Sequence, residues 1–551
     1  RRDSPADSGG AGPEPRPSPP EDPVERTRWA IVAVAVLAVA VAVCQLVVGG
    51  LATYGQPNAA YDPGVAVGAA IHFAHGALPY RRFAFLQPPG LLLLLAPAGL
   101  LARVAGSHAA LAAGQFLSAA AWAGAAVLAA VLLRSRGPIT AVAAGLVVVA
   151  WPESSLIVTT IRPDPFMVCA CLGGLALAFR SEPRPGPPGT ASRVCPAGRS
   201  RLLCAGALLG LAVTVKLWAV AVLAGAVLGL GVCSLSAGWW LACGSSVGLA
   251  ICAPFFAAAP GAFVRDVFLA QMGRRSPGYP TAPLERVVEI LGLHGTGQLV
   301  ESLALGLGLA ATACIVFGLA RAGRDPLAVT VGLVGVLSVA VLFVSPEFYN
   351  YYGFFPFTFG GLAALDGASG LLRRLAPLVR GVLRRTTTRA VTAMVAVAAI
   401  GLVGFGATLP PGTNGGSFRP PPGAPRAVAL LAATVPRGAC LVADVPFLAE
   451  AAGRFDADSR TCPDVVDPFG LALLDNRGDP PPLEAPFPRA YLERWTSILD
   501  RAGWVAFVAP RSPYLPWTAK SSAAFAHRFA LVARIPGVIY IYRERRQHLA
   551  Q

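Results

Sequence analysis

Charge is what this sequence has least of. Only 13% of its 551 residues are charged, whereas 55% are hydrophobic; an average soluble domain carries about 25% charged residues. With a mean hydropathy of +0.59, the deficit excludes an ordinary soluble enzyme and puts the chain in the membrane class. Lysine is scarcer still. Lys216 and Lys520 are the only two, although Lys and Arg together number 45 and the net charge is +16. A basic balance can mark nucleic-acid binding, but these arginines fall in short stretches between apolar runs. That is the loop bias of a membrane protein, so nucleic acid is excluded as a partner. No C-x-x-C pair or His-rich tract occurs, which removes the usual metal-site patterns. No P-loop is present, nor a G-x-G-x-x-G opening a βαβ unit, so a nucleotide-fed Rossmann enzyme is excluded. No internal repeat or matched pair of broken helices advertises a secondary transporter.

Long apolar runs are what the chain has instead. They lie at 29–51, 109–133, 138–156, 165–180, 202–215, 217–234, 238–257, 298–320, 326–344, 352–371 and 389–408. The run 89–104 is shorter and contains Pro97. If it spanned, Arg134, Arg136 and the basic segment 180–201 would fall on the outer side, against the positive-inside bias. Read as a non-spanning helix, it leaves Arg26/Arg28, Arg134/Arg136, 180–201, Arg321/Arg324 and 373–389 all cytoplasmic. The expectation is an α-helical polytopic protein of about eleven spans.

The outer segments are then 52–108, 157–164, 258–297 and 345–351, together with everything beyond 409. Four regions follow: a disordered tail 1–28, a transmembrane domain 29–408, a Pro/Gly-rich linker 409–425 and an extracytoplasmic α/β domain 426–551. Strand-like runs occur at Cys440–Val445, Trp504–Ala509 and Phe529–Tyr542. Cys440 and Cys462 are the only cysteines of that last domain and, in an oxidising compartment, are expected to pair.

Chemistry-bearing residues gather in the outer segments. Asp62, followed by Pro63, is either an N-cap or a general base facing the bilayer surface. Asp164, between Pro163 and Pro165, either caps a helix with Arg162 as its ion-pair partner or flanks a bound cation or acceptor hydroxyl beside Asp62. Glu153 is a weaker acidic candidate. Lys216 sits between two apolar runs, where it either snorkels or holds a lipid phosphate as a compact point charge. Arg265, Arg274 and Arg275 add phosphate-binding capacity. Tyr349, Tyr351 and Tyr352 read as interfacial belt residues or as the lining of a sugar pocket. His72 and His75 read as packing or surface residues.

The string Tyr61-Asp62-Pro63-Gly64, then Gly76-Ala-Leu-Pro79-Tyr80-Arg81-Arg82-Phe83 and Pro88-Pro89-Gly90, resembles the first-loop signature of GT-C glycosyltransferases. The nearest likeness is to family 39, the dolichyl-phosphate-mannose-protein mannosyltransferase-like group, and its bacterial lipid-glycosylating relatives. It covers about residues 29–370. The resemblance implies sugar transfer from a polyprenyl-phosphate donor to a cell-envelope glycan, lipid or protein acceptor. Asp62 matches the catalytic aspartate, Asp164 a second-loop aspartate, Lys216 a family lysine, and Tyr80 joins the substrate-binding set. It leaves open a divalent cation, Mg or Mn, held by Asp62 and Asp164. Arg82 departs from the pattern where many relatives carry an acid. The competing readings are a lipid or solute transporter with an accessory domain and a non-catalytic scaffold.

Overall fold

The computed structural model describes residues 23–48, 57–152, 154–182, 193–274, 282–293, 297–323, 325–346, 348–380, 423–455, 462–475 and 486–545. The run 389–408, the segment 409–422, Glu153 and Arg275 lie outside these residues.

The first part is helical: α1 (Pro23–Val48), α2 (Pro57–Ala74), α3 (Gly90–Leu133), α4 (Pro138–Val149), α5 (Ser154–Thr159), α6 (Pro163–Ala178), α7 (Arg199–Val215), α8 (Ala219–Cys233) and α9 (Leu235–Leu249). After short helical turns come α10 (Pro283–Ile290), α11 (Gln298–Ala322), α12 (Pro326–Val344) and α13 (Phe354–Arg380). By length and composition, five helical stretches among the described residues can cross a bilayer, and several apolar ones are shorter. This is a membrane protein. Leu299, Leu309, Val316 and Val344 stand exposed on α11 and α12, as lipid-facing residues do.

Helix α3 is two helices joined at Gly106, whose φ of 83° only glycine adopts without strain. Gly90 at the start of the first half packs on Thr214 beside Lys216, and Ser107 just past the end of that half donates to the carbonyl of Glu450 in the C-terminal domain. Both ends therefore lie at one end of the helical body. The hydrophobic run 138–156 is interrupted: α4 stops at Val149 and α5 begins only at Ser154, beyond Pro152. In the segment 180–201 the chain forms a hairpin, β1 (Phe179–Glu182) against β2 (Arg193–Pro196).

Opposite ends of the body are held by different charges. At one, Arg136 pairs with Asp325 and Asp366, each at 2.6 Å, and Arg373 donates to the Arg136 carbonyl. At the other stand Asp62, Asp164 and Lys216 beneath the C-terminal domain.

That domain contains α14 (Ala424–Thr434), β3 (Leu441–Ala443), α15 (Pro446–Ala451), α16 (Pro468–Asp475), α17 (Arg489–Arg501), β4 (Trp504–Phe507), α18 (Ala519–Arg528), β5 (Phe529–Ile535) and β6 (Ile539–Glu544). The sheet order is β3-β4-β6-β5, with β3 and β4 parallel and the other pairs antiparallel. The apolar run Phe529–Tyr542 is thus a hairpin, turned at Gly537 with φ 72°. Val505, Phe507, Tyr491 and Trp495 build the core between sheet and helices. Cys440 and Cys462 form a disulfide, tying β3 to the segment that leads into α16.

Candidate active site at the domain junction

Asp62 is no N-cap. Helix α2 begins at Pro57 and carries Pro63 inside it, so Asp62 lies within the helix and its side chain is available for long-range contacts. Its Oδ2 accepts from Arg162 Nη1 at 2.7 Å and from the Tyr351 hydroxyl at 3.3 Å. Asp62 is 47% exposed while Arg162 is 2% exposed: a buried cation holds a carboxylate at a solvent boundary. The guanidinium is fixed twice more, by Nε donating to Thr160 Oγ1 at 3.2 Å and by lying 3.6 Å over the Tyr351 ring.

Arg162 is the extended residue before α6, and Pro163 supplies that helix's first position, where a missing N–H costs nothing. Asp164 follows in the first turn, where the helix dipole favours an anion. It does not pair with Arg162. Its Oδ1 accepts from Lys216 Nζ at 2.8 Å, with the carboxylate fully buried. Lys216 occupies the extended break between α7 and α8, and its ammonium lies 3.8 Å from the Trp218 ring centroid and 4.4 Å from that of Tyr352. Arg162 also interacts electrostatically with Asp164, and Lys216 with Asp62. The two ion pairs form one array of alternating charge.

A single helical turn, Asn350–Gly353, delivers the tyrosines. Tyr349 stacks on Tyr351 at 5.5 Å, and Tyr352 meets Trp218 edge-on at 4.3 Å. Tyr80 stands apart from this array. It is buried with φ 64°, packs on Phe263 and donates its hydroxyl to the Gln87 carbonyl at 2.6 Å. It braces the loop between α2 and α3. Arg274 lies 5.5 Å from the Phe469 ring and interacts with Asp467, on the C-terminal-domain side. His75 bonds back to the Ile71 carbonyl. His72 is buried and contacts Asp464 at 3.3 Å.

A divalent cation between Asp62 and Asp164 does not fit this arrangement. Each carboxylate already faces a cationic side chain, whose charge opposes a metal's. Among the described residues no group of three His, Cys, Asp or Glu side chains converges.

Sequence reasoning missed the contribution of the C-terminal domain. Tyr61 donates to Asp467 Oδ1 at 2.8 Å and accepts from the Phe469 N–H at 2.7 Å. Tyr514 packs 5.8 Å from Tyr61 and interacts electrostatically with Asp62. The signal for Asp467 is its Asp-Pro step before an apolar stretch, a helix start; nothing local links it to Tyr61.

No family model matches the chain, and no curated protein matches it by sequence. Solved structures do. ArnT from Cupriavidus metallidurans bound to undecaprenyl phosphate aligns with TM-score 0.56 at 15% identity, covering 94% of this chain and 98% of that one. The two chains share one fold over nearly their whole length. The apo state of ArnT aligns equally, at TM-score 0.56 and 14% identity over 94% of this chain and 98% of that one. The Archaeoglobus fulgidus oligosaccharyltransferase in complex with Zn and sulfate aligns at TM-score 0.49 and 14% identity, covering 86% of this chain and 67% of that one. The likeness to ArnT bears out the helical membrane architecture with a C-terminal domain; the likeness to family 39 in particular has no such support.

Proposed function

We propose that this chain is an integral membrane glycosyltransferase that moves a sugar from a polyprenyl-phosphate donor to an acceptor hydroxyl at the outer face of the cell membrane. The observation that carries the reading is the half-exposed Asp62 carboxylate, held by buried Arg162 beside the Asp164–Lys216 pair, at the end of a GT-C body covered by the C-terminal domain. The ArnT structure was solved with undecaprenyl phosphate, a lipid of the class proposed here as carrier.

The acceptor oxygen attacks the anomeric carbon as its proton passes to Asp62, and the bond from that carbon to the phosphate oxygen breaks with its electron pair leaving on the lipid phosphate. Asp62 has one oxygen committed to Arg162 and Tyr351, which orients the other for the proton. A pre-aimed base spares the reaction the cost of ordering it. Lys216, with Arg274 and Arg275, supplies positive charge for the leaving phosphate. Its bond to Asp164 and the flanking Trp218 and Tyr352 rings keep the ammonium in place. Tyr349, Tyr351 and Tyr352 offer faces and hydroxyls suited to a sugar ring.

Membranes containing the chain, given radiolabelled polyprenyl-phosphate sugars, are expected to yield a labelled glycan, lipid or protein with release of polyprenyl phosphate. Absence of any transfer across hexosyl and pentosyl donors, in membranes where the folded protein is present, contradicts the reading.

A further inference from the structure

Helix α2 has two working faces. Tyr61, Gly64, Gly68 and His72 recur at helical spacing and so share one side. Each meets the C-terminal domain. Tyr61 is bonded to Asp467 and to the Phe469 N–H. A Cβ at Gly64 would stand 2.3 Å from the Phe447 backbone nitrogen, and one at Gly68 2.8 Å from Glu450 Oε1. His72 contacts Asp464, which also accepts from Arg82 at 3.1 Å. Asp62 is one residue on from Tyr61, turned about 100° around the helix, and faces Arg162 and Tyr351 instead.

The Tyr61 end of this stripe is a closed hydrogen-bond set. The hydroxyl both donates and accepts, and Asp467 Oδ1 also takes the Gly470 N–H at 2.8 Å, capping α16. Asp467 is buried, with Phe469 and Tyr514 packed around the Tyr61 ring. Losing this link leaves buried polar groups without partners, which a well-packed junction resists.

We propose that Tyr61 and Asp467 are positioning residues, through which the C-terminal domain sets the rotation of α2 and thereby aims Asp62. The proposal rests on the transferase reading above. It makes the C-terminal domain a working part of the site, acting through a helix with one face on that domain and another, about 100° around, on the helical body. The glycines fix how closely α2 lies against α15, and the Tyr61 hydroxyl fixes its turn. The array around Asp62 is then sensitive to α16 although no α16 carboxylate bonds to it.

The test compares Tyr61→Phe, Asp467→Ala, Asp467→Asn and Asp62→Asn in the full chain in lipid nanodiscs, by transfer kinetics and by backbone hydrogen exchange over 57–74. Tyr61→Phe and Asp467→Ala are expected to speed exchange in the first turns of α2 and lower kcat by about 10- to 100-fold, the scale of a small misplacement. Donor KM is expected to hold. Asp467→Asn keeps an oxygen acceptor and is expected to restore most of what Asp467→Ala loses. Unchanged exchange and unchanged kcat in Tyr61→Phe overturn the proposal. If Asp62→Asn itself turns over like wild type, the transferase role of Asp62 falls, and the exchange data alone decide the link.

Discussion

Arg162 carries three jobs with one planar group: it pairs with Asp62, bonds Thr160 and stacks on Tyr351. A lysine is long enough for the ion pair but has no fork and no flat face. Arg162→Lys is therefore expected to lower transfer by about tenfold or more, a loss of at least ~1.4 kcal/mol of transition-state stabilisation, with the protein still folded. Initial-rate assays on purified variant check it.

Asp444 shows a different use of a buried acid. It is buried beside β3 and accepts from the Val508 N–H, and burial pushes its carboxyl up to about 7. A carboxyl that holds its proton more tightly when folded contributes stability that is full below its unfolded pKa of about 3.9 and is lost as pH rises through the folded value. The C-terminal domain is expected to melt at lower temperature at about pH 8 than at about pH 5. Asp444→Asn is expected to flatten that slope, and melting curves across the range report it.

At the scale of elements, α2 against α15 is a contact with little room to spare. Gly64→Ala places a methyl group against the Phe447 backbone, and backbone cannot rotate away as a side chain can. Overpacking of this kind typically costs about 1–3 kcal/mol. Limited proteolysis is expected to release the C-terminal domain faster in this variant than in wild type, whereas Gly273→Ala, which meets nothing within 4 Å, is expected to leave it unchanged. Much of the helical layout was legible in the sequence because spans, loop arginines and helix-starting prolines are local signals. Charge bias set 89–104 apart from the run that follows, and the helix does break at Gly106. Asp62, Arg162, Asp164 and Lys216 were visible as ionisable residues at the ends of apolar runs. Their pairing was not. Asp164 and Arg162 are neighbours in sequence, yet each bonds elsewhere, because Pro163 turns them onto different sides of the helix start. The junction with the C-terminal domain was illegible because its partners, Tyr61 and Asp467, are separated by 406 positions. An isolated glycine or histidine on a helix does not say what it faces.

Across the whole molecule, charge divides the two ends. Arg136, Asp325, Asp366 and Arg373 interlock at one, and the Asp62 array lies at the other with the C-terminal domain over it. The positive-inside bias assigns the first end to the cytoplasm. In a background lacking free cysteines, Arg489→Cys, a position 92% exposed in its side chain, is expected to react with an impermeant maleimide on intact cells. Arg134→Cys is expected to react only after permeabilisation. Labelling of Arg134→Cys from outside reverses the assignment.

The central claim concerns Asp62, and single-turnover transfer by Asp62→Asn tests it most directly. The amide keeps the size of the side chain and one oxygen to accept from Arg162 and Tyr351, but it cannot take the acceptor's proton. The account predicts a transfer rate lower by about 10²- to 10⁴-fold, with binding of the polyprenyl-phosphate sugar donor retained. Transfer at the wild-type rate would contradict it and remove Asp62 from the chemistry.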